Sequence, residues 1–470
     1  MYFITGGPEG LSPEGRAIAL IGTLMAIMWM TEAMPLPITS LMPLLLFPLA
    51  GVLSFEEAAR PFADKYIFLF LGGFMIARAI ERWNLHRRLA LWIMLAVGAR
   101  PARLVGGFML ATALLSMWIR NTATAMMMLP MALSMIGLLT DQGSTDEDEA
   151  DRFGTCVLLG IAYSASIGGM GTLIGTPPNA FFAGFLDKQG ITIGFGEWMV
   201  LAMPLVVVLL VACWFLLTRV FYRVGTGEIV GGRELLRREL AKLGPISRAE
   251  WTVLVIFTMT AAMWIFRQPI TNWPWLVERF PRVTEINDAM IAMLGAITLF
   301  AVPVNLAKGE FALDWETAKG IPWGILLLFG GGLSLAKAAA GSGFTEWVGH
   351  SVAGLSGMPT LVLVLAVTFV VIFLTELTSN IATAAAFLPI IYGIAVGLGV
   401  DPLMLVVPAT IAASCAFMLP VATPPNAIVF GSGRLTIAQM VKAGLWLNLL
   451  VVALSVPFMA LWAKWVMGIE

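Results

Sequence analysis

The residues best suited to chemistry occur in pairs. Asn121 to Pro130 reads NTATAMMMLP and Asn380 to Pro389 reads NIATAAAFLP, while Gly175 to Ala180 reads GTPPNA and Ala422 to Ala427 reads ATPPNA. Proline lacks a backbone donor and stops a continuous helix, so a Pro-Pro pair within apolar sequence marks a break. Such breaks survive in a membrane only where protein or a cavity covers the freed polar groups. A helix restarting after a break offers N–H groups and a positive dipole end to a carboxylate. The unwound carbonyls, with Ser, Thr or Asn oxygens, suit a small cation such as sodium. Ser116, Asn121, Thr122 and Thr176 supply these groups in the first half of the chain, and Thr375, Thr378, Ser379, Asn380 and Thr423 in the second. A single motif of this kind is explained by small polar residues joining helices. Four motifs in duplicated register beside double-proline breaks point instead to a ligand site at the membrane midplane.

Arg120 stands between Trp118–Ile119 and Asn121, in apolar sequence, at the position that corresponds to Ser379. An arginine at membrane depth is costly unless it is hydrated, paired or functional. Three roles are open to it. Its guanidinium can hold a carboxylate in bidentate geometry, stand as a fixed positive charge in place of a bound cation, or form a structural ion pair with Glu32 or Glu376.

The elements that position these groups are membrane helices. Of the 470 residues 59% are hydrophobic and only 12% charged, with mean hydropathy +0.89, against roughly 25% charged for an average soluble chain. Apolar runs long enough for a helical crossing of about 20 residues recur throughout, among them 88–118 and 155–184, and they lack the alternation of barrel strands. The number of full crossings stays open, because several runs contain Gly or Pro at depth. FLGGFMIA at Phe70 to Ala77 and FGGGLSLA at Phe329 to Ala336 stand 259 positions apart, as do Asn121 and Asn380; the GTPPNA and ATPPNA pair stands 247 apart. The chain is an internal duplication with one loop insertion, the acidic connection near Asp141 to Asp151, which reads as a solvated connector without calcium-loop spacing. The glycine runs fit close helix packing and belong to no phosphate loop. The polar connection 223–250 carries Arg223, Arg233, Arg237, Arg238, Lys242 and Arg248. It reads as a cytoplasmic amphipathic helix joining the halves.

Other classes find little support. A net charge of −1 gives no nucleic-acid footprint. Cys156, Cys213 and Cys415 lie far apart and read as core residues, and His86 and His350 form no metal or hydrolase motif. A membrane enzyme acting on lipid would need a base, nucleophile or metal cluster that the sequence does not assemble. The N-terminus lacks a cleavable leader pattern, so the first apolar stretch reads as a retained helix.

The motifs together resemble the divalent anion/sodium symporter family, which includes bacterial dicarboxylate transporters and the sodium-coupled carboxylate and sulfate carriers of animals. The resemblance runs through nearly the whole chain: TEAMPL at Thr31 to Leu36, SMWIRNTATAMMMLP at Ser116 to Pro130, YSASIGGMGTLIGTPPNA at Tyr163 to Ala180, TELTSNIATAAAFLP at Thr375 to Pro389 and ATPPNAIVFGSGRLT at Ala422 to Thr436. It implies an all-α polytopic membrane protein with inverted structural repeats, two re-entrant helical hairpins and about 11 transmembrane helices. It also implies a homodimer and an elevator movement of transport elements against a scaffold.

On that pattern residues 1–104 are mainly scaffold, 105–222 transport elements of the first repeat, 223–250 the cytoplasmic connection, 251–357 mainly scaffold again and 358–470 transport elements of the second repeat. The implied substrate contacts are Asn121, Thr122, Thr176, Pro177, Ser379, Asn380 and Pro424, and Arg120 joins them by its own chemistry. The implied sodium ligands are Ser116, Asn121 and Gly175 in one half, and Thr375, Thr378, Asn380 and Ala422 in the other. The family's Ser-Asn-Thr tips fall on Arg120–Asn121–Thr122 and Ser379–Asn380–Ile381, and both depart from the pattern. Arg120 replaces a serine of the first sodium site, and Ile381 removes a hydroxyl. The expected activity is secondary transport of a di- or tricarboxylate, coupled to sodium through at least one site, in the plasma membrane. Sodium-independent carboxylate exchange and transport of sulfate are the alternatives.

Overall fold

The structure, a computed structural model, describes residues 10–141, 147–225, 227, 229–355 and 357–469. The acidic connection therefore lies partly outside the described residues. The chain is almost wholly helical. Its principal helices are α1 (Pro13–Thr31), α2 (Lys65–Arg82), α3 (Leu85–Val97), α4 (Pro101–Ser116), α5 (Asn121–Asp141), α6 (Glu147–Gly169), α7 (Pro177–Lys188) and α8 (Phe195–Phe215) in the first half. After the linker helix α9 (Gly232–Lys242) come α10 (Arg248–Thr271), α11 (Asp288–Ala301), α12 (Trp323–Gly341), α13 (Phe344–Ser351), α14 (Thr360–Thr375), α15 (Asn380–Gly397), α16 (Pro402–Ala413), α17 (Pro424–Phe430) and α18 (Ile437–Pro457). A two-stranded antiparallel turn, β1 (Pro303–Asn305) with β2 (Glu310–Phe311), follows α11.

Six described helices are long and apolar enough to cross a bilayer, including 195–221, 248–271 and 437–467. Their outward faces keep large apolar side chains exposed, such as Met259 at 62% and Leu461 at 74%, as lipid-facing surface requires. Two of the long apolar runs are divided, the second where its Pro-Pro pair predicts. The span 88–118 is cut between α3 and α4, where Gly98 takes φ +95° and Pro101 opens the next helix. The span 155–184 is cut between α6 and α7, where Pro177 and Pro178 occupy the first helical positions. Proline is tolerated there because its missing N–H has no intrahelical partner to lose.

Corresponding segments of the two halves fold alike. α4 stops at Ser116 and α5 restarts at Asn121; 259 positions on, α14 stops at Thr375 and α15 restarts at Asn380. The two TPPN motifs share a further device. Asn179 Nδ2 donates back to the carbonyls of Met170 at 3.1 Å and Thr172 at 2.8 Å, and Asn426 Nδ2 to those of Ala416 at 3.2 Å and Leu419 at 3.0 Å. Each asparagine thus satisfies carbonyls that its own helix break releases, which makes the break affordable in an apolar setting.

The glycine runs are crossing points. A Cβ on Gly331 would collide with the Ser40 backbone, and one on Gly72 with the Ala292 backbone, so α12 and α2 approach their neighbours at backbone distance. Gly168 is equally closed, its missing Cβ facing the Ala113 carbonyl where α6 crosses α4.

The linker is fastened to α3. Arg88, buried, donates to Glu250 Oε1 at 2.6 Å and to the carbonyls of Gly244 and Leu243 at 3.0 and 3.2 Å, while Arg87 pairs with Glu239 of α9 at 2.6 Å.

Candidate functional site

One cavity of about 680 Å³ collects the groups that the sequence singles out, within the ~300–1,000 Å³ of small-ligand sites. Arg120, Asn121, Thr122, Gly175, Thr176 and Pro177 line it from the first half, and Thr378, Ser379, Asn380, Ala422, Thr423 and Pro424 from the second. The starts of α5, α7, α15 and α17 therefore converge on one volume. The first-turn N–H groups of a helix have no intrahelical partners, and each start carries roughly half a positive charge. Such a set of ends favours an anion over a neutral solute. Thr423 spends its side chain capping α17, accepting from Asn426 N at 3.3 Å. Thr176 makes no cap bond to α7; its hydroxyl accepts only a long bond from Ser414 Oγ, 3.5 Å.

Ser116 and Thr375 do not line the cavity; they are buried beneath the two breaks. Ser116 Oγ donates to the Ala165 carbonyl at 2.7 Å and meets the Asn121 side chain. Thr375 Oγ1 bonds Asn380 Oδ1 at 3.0 Å and the Ala413 carbonyl at 3.0 Å. Thr378 Oγ1 contacts the Leu374 carbonyl at 3.0 Å and Thr383 Oγ1 at 2.6 Å. Around Asn121 the oxygens of Ser116, Ala165 and Gly175 all face the amide group. Turned the other way, Nδ2 would donate to Ala165 O and Gly175 O at 3.3 Å each. This gathering of oxygens can be satisfied by an amide N–H or by a small cation, and Ser116, Asn121 and Gly175, which the resemblance implies as sodium ligands, are among its members.

Arg120 is half-buried on the cavity wall. Neither of its two sequence-suggested ion pairs forms. Glu376 is occupied elsewhere: its Oε1 accepts from Phe417 N at 2.7 Å, Met418 N at 2.9 Å and Asn448 Nδ2 at 2.7 Å, and its Oε2 from Leu419 N at 3.1 Å. Glu32 lines the same cavity as Arg120 without bonding to it and closes α1 in the left-handed region at φ +49°. Among the described residues the two are the only charged ones on the lining.

Several lining residues were not assigned from sequence: Thr31, Glu32, Phe70, Phe74, Ile325 and Leu377. Two signals were available. Glu32 belongs to the TEAMPL segment, and Phe70 opens the repeated glycine motif, but neither sequence says which way its residues face.

Comparison with known proteins gives a consistent outcome. Residues 1–469 match the family model described as the sodium:sulfate symporter transmembrane region. The chain is 41% identical over 467 residues to the sodium-dependent dicarboxylate transporter SdcS of Staphylococcus saprophyticus, covering 98% of this chain and 89% of the relative. It is 41% identical over 447 residues to the protein of the same name from Staphylococcus aureus, covering 94% and 85%. The crystal structure of the Alcanivorax borkumensis YdaH transporter shares the fold with a TM-score of 0.56 at 13% identity, over 86% of this chain and 85% of that one.

Proposed function

Because this chain belongs to the sodium:sulfate symporter family, the divalent anion/sodium symporters, we propose that it is a multi-pass plasma-membrane secondary transporter of small dicarboxylate anions. The observation that carries this reading is the single cavity on which four helix starts and the Arg120 guanidinium converge. A dianion has two ends to satisfy, and each half of the cavity offers two helix starts. Asn121, Thr122, Thr176 and Pro177 would hold one carboxylate with Arg120, and Ser379, Asn380 and Pro424 the other. The resemblance in sequence to transporters named for sodium and dicarboxylate supports the same assignment.

The finer architecture follows the family. The breaks 117–120 and 376–379 are the tips of two opposed re-entrant hairpins, α4–α5 and α14–α15, in inverted repeats that make about 11 crossings. Residues 105–222 and 358–470 move as transport elements against a scaffold formed mainly by 1–104 and 251–357, in a homodimer. Sodium is a co-substrate. In the second half Thr375, Thr378, Asn380 and the Ala422 carbonyl supply neutral oxygens for one ion. In the first half Ser116, Asn121 and Gly175 supply a weaker set, because Arg120 places a fixed positive charge beside it.

That charge supports a second reading, carboxylate exchange without sodium. Arg120 has no ion pair among the described residues, so its charge is available to a substrate. The test is succinate flux in proteoliposomes under opposed gradients. Symport predicts uptake that rises with external sodium and needs no internal carboxylate. Uptake indifferent to sodium but dependent on internal succinate would overturn symport in favour of exchange. Sulfate flux without carboxylate flux would reassign the substrate. Arg120→Ser should raise the sodium dependence of uptake.

A further inference from the structure

Far from the cavity, two dipeptides of the same composition cross-pair. Asp64–Lys65 begins α2 and Asp187–Lys188 ends α7. Lys65 Nζ meets Asp187 Oδ1 at 2.7 Å, and Lys188 Nζ meets Asp64 Oδ2. Asp64 and Lys188 suit their own helices: the first is the N-cap of α2, accepting from Tyr66 N at 3.0 Å, and the second is a cation in a last turn. Lys65 and Asp187 do not. A lysine in a first turn and an aspartate in a last turn both stand against the helix dipole. Their charges gain nothing from the helices that carry them, and each faces the other across the α2–α7 contact.

The sidedness of this pair follows from the linker. The arginine-rich segment 223–250 marks the cytoplasmic side. α8 with its continuation to Phe221 runs 27 residues, about 40 Å at 1.5 Å per residue, enough for a full crossing. Asp187–Lys188, just before α8, is therefore extracytoplasmic. α2 agrees: beyond its far end, Arg87 and Arg88 of α3 are bonded to the linker, which leaves Asp64–Lys65 on the outer side. α1 runs the same way. Ser12 at its start bonds the Ser342 carbonyl at 3.0 Å, near Lys337, which reaches the Glu57 carbonyl at 3.1 Å on the Asp64 side. Glu32, at the other end of α1, is cytoplasmic. The cavity reaches that end, where Glu32 is exposed and Leu377 is 72% exposed. On this placement the site faces the cytoplasm, while the crossed ion pairs bridge α2 and α7 on the outer side.

We propose that the crossed pairs Asp64–Lys188 and Lys65–Asp187 are an extracytoplasmic latch that holds the transporter with its site facing inward and must part before the site can face outward. The inference rests on the transport reading above for its meaning. α7 is the mechanical link, since Pro177 lines the cavity and Lys188, at the other end of the same 12-residue helix, carries the latch about 17 Å away. α2 belongs to the scaffold half of the contact and α7 to the transport elements, so the latch spans the boundary that an alternating movement must shear.

The test reads orientation and needs no substrate. Leu377→Cys on the cavity wall serves as reporter, against three native cysteines that are all buried. It is labelled with a membrane-impermeant maleimide from outside intact cells and, separately, from the cytoplasmic face in inverted vesicles. Lys65→Gln or Asp187→Asn should raise outside labelling roughly two- to fivefold, the population shift that loss of one partly exposed ion pair gives, and lower inside labelling. The swap Lys65→Asp with Asp187→Lys keeps the pair, aligns both charges with their helix dipoles and should return labelling to the parental pattern. Parental labelling in the neutral variants, failure of the swap to restore it, or no outside labelling in any variant would overturn the latch. Because labelling is scored without flux, a latch that behaves as stated in a protein that moves no carboxylate would refute the transport reading alone.

Discussion

Glu376→Gln tests how the second-half break is held. The parent carboxylate accepts three successive backbone N–H groups, Phe417, Met418 and Leu419, together with Asn448 Nδ2. It is 3% exposed, so water cannot replace it. In the variant the amide oxygen keeps the three donors at the Oε1 position, but as neutral bonds worth ~0.5–1.5 kcal/mol each in place of ~1.5–3. The new NH₂ group faces the Leu419 N–H, so one bond is lost and a buried donor is left unmatched, at ~1–3 kcal/mol. Shared geometry makes these losses less than additive, and we expect roughly 3 kcal/mol in total, on the order of a hundredfold in an equilibrium. The loss falls on the segment leading into Ala422 and Thr423 at the cavity. If it depopulates the binding-competent arrangement, apparent affinity falls in proportion. The assay is uptake in proteoliposomes, read as KM for succinate and half-activation by sodium. The position that corresponds in the first half is Met117, whose carbonyl accepts from Thr172 Oγ1 at 2.5 Å; Met117→Leu preserves that bond and should cost less than ~1.5 kcal/mol. Equal KM and sodium activation in parent and Glu376→Gln would refute the clamp.

Other substitutions separate packing from ligand chemistry. Gly168→Ala should sharply reduce folded yield and detergent melting temperature, because its Cβ meets the Ala113 backbone; Gly137→Ala, with nothing within 4 Å of the new Cβ, should be neutral or stabilising by up to ~1 kcal/mol. Arg88→Ala removes a buried guanidinium from Glu250 and from the Leu243 and Gly244 carbonyls. A loss of ~3–5 kcal/mol is expected from breaking such a pair, measured as a lower melting temperature and faster proteolysis of the linker. Thr176→Val removes a hydroxyl that caps nothing in α7. It should raise KM for succinate while leaving the melting temperature within a degree or two of the parent; a large fall in stability with unchanged KM would assign the hydroxyl a packing role.

Much of the helix plan was legible because its signals are covalent and local. Pro177–Pro178 and Pro424–Pro425 interrupt a helix whatever surrounds them, and the 259-residue register by itself aligns Ser116 with Thr375 and Asn121 with Asn380. The cut at Gly98–Pro101 was missed because apolar residues on both sides masked it as one run; its signals were a glycine at positive φ and a proline at the first helical position, and hydropathy registers neither. Within the cavity, the residues next to the breaks were named from their own chemistry. Glu32, Phe70 and Ile325 were not, since they reach the cavity only through the way α1, α2 and α12 cross, and crossing geometry depends on contacts hundreds of residues apart. The partner of Glu376 was misjudged for a related reason. A sequence shows side chains of opposite charge, such as Arg120, but not three backbone N–H groups that become unsatisfied only when the segment after α16 unwinds.

The two halves build similar breaks with unequal charges, and this bears on how coupling works. In the second half the tip is neutral, with Ser379 at the cavity, while the carboxylate of Glu376 is neutralised by dipoles inside the protein. In the first half Met117 and Arg120 stand where Glu376 and Ser379 would correspond, so that tip carries a whole positive charge into the cavity. A bound cation leaves with the substrate; a guanidinium cannot. On the proposed reading Glu32 stays with the scaffold, so the moving elements with an empty site still carry the positive charge of Arg120, and moving it across an apolar barrier without an anion is costly. A dicarboxylate brings two negative charges, so with Arg120 alone the loaded site keeps one negative charge, and a single sodium beside it makes the loaded form neutral and easier to move than the empty one. On the proposed reading Arg120 thus stands in for one of the two cations that a dianion needs, and the oxygens around Thr375, Thr378 and Asn380 would hold the sodium whose gradient drives net uptake.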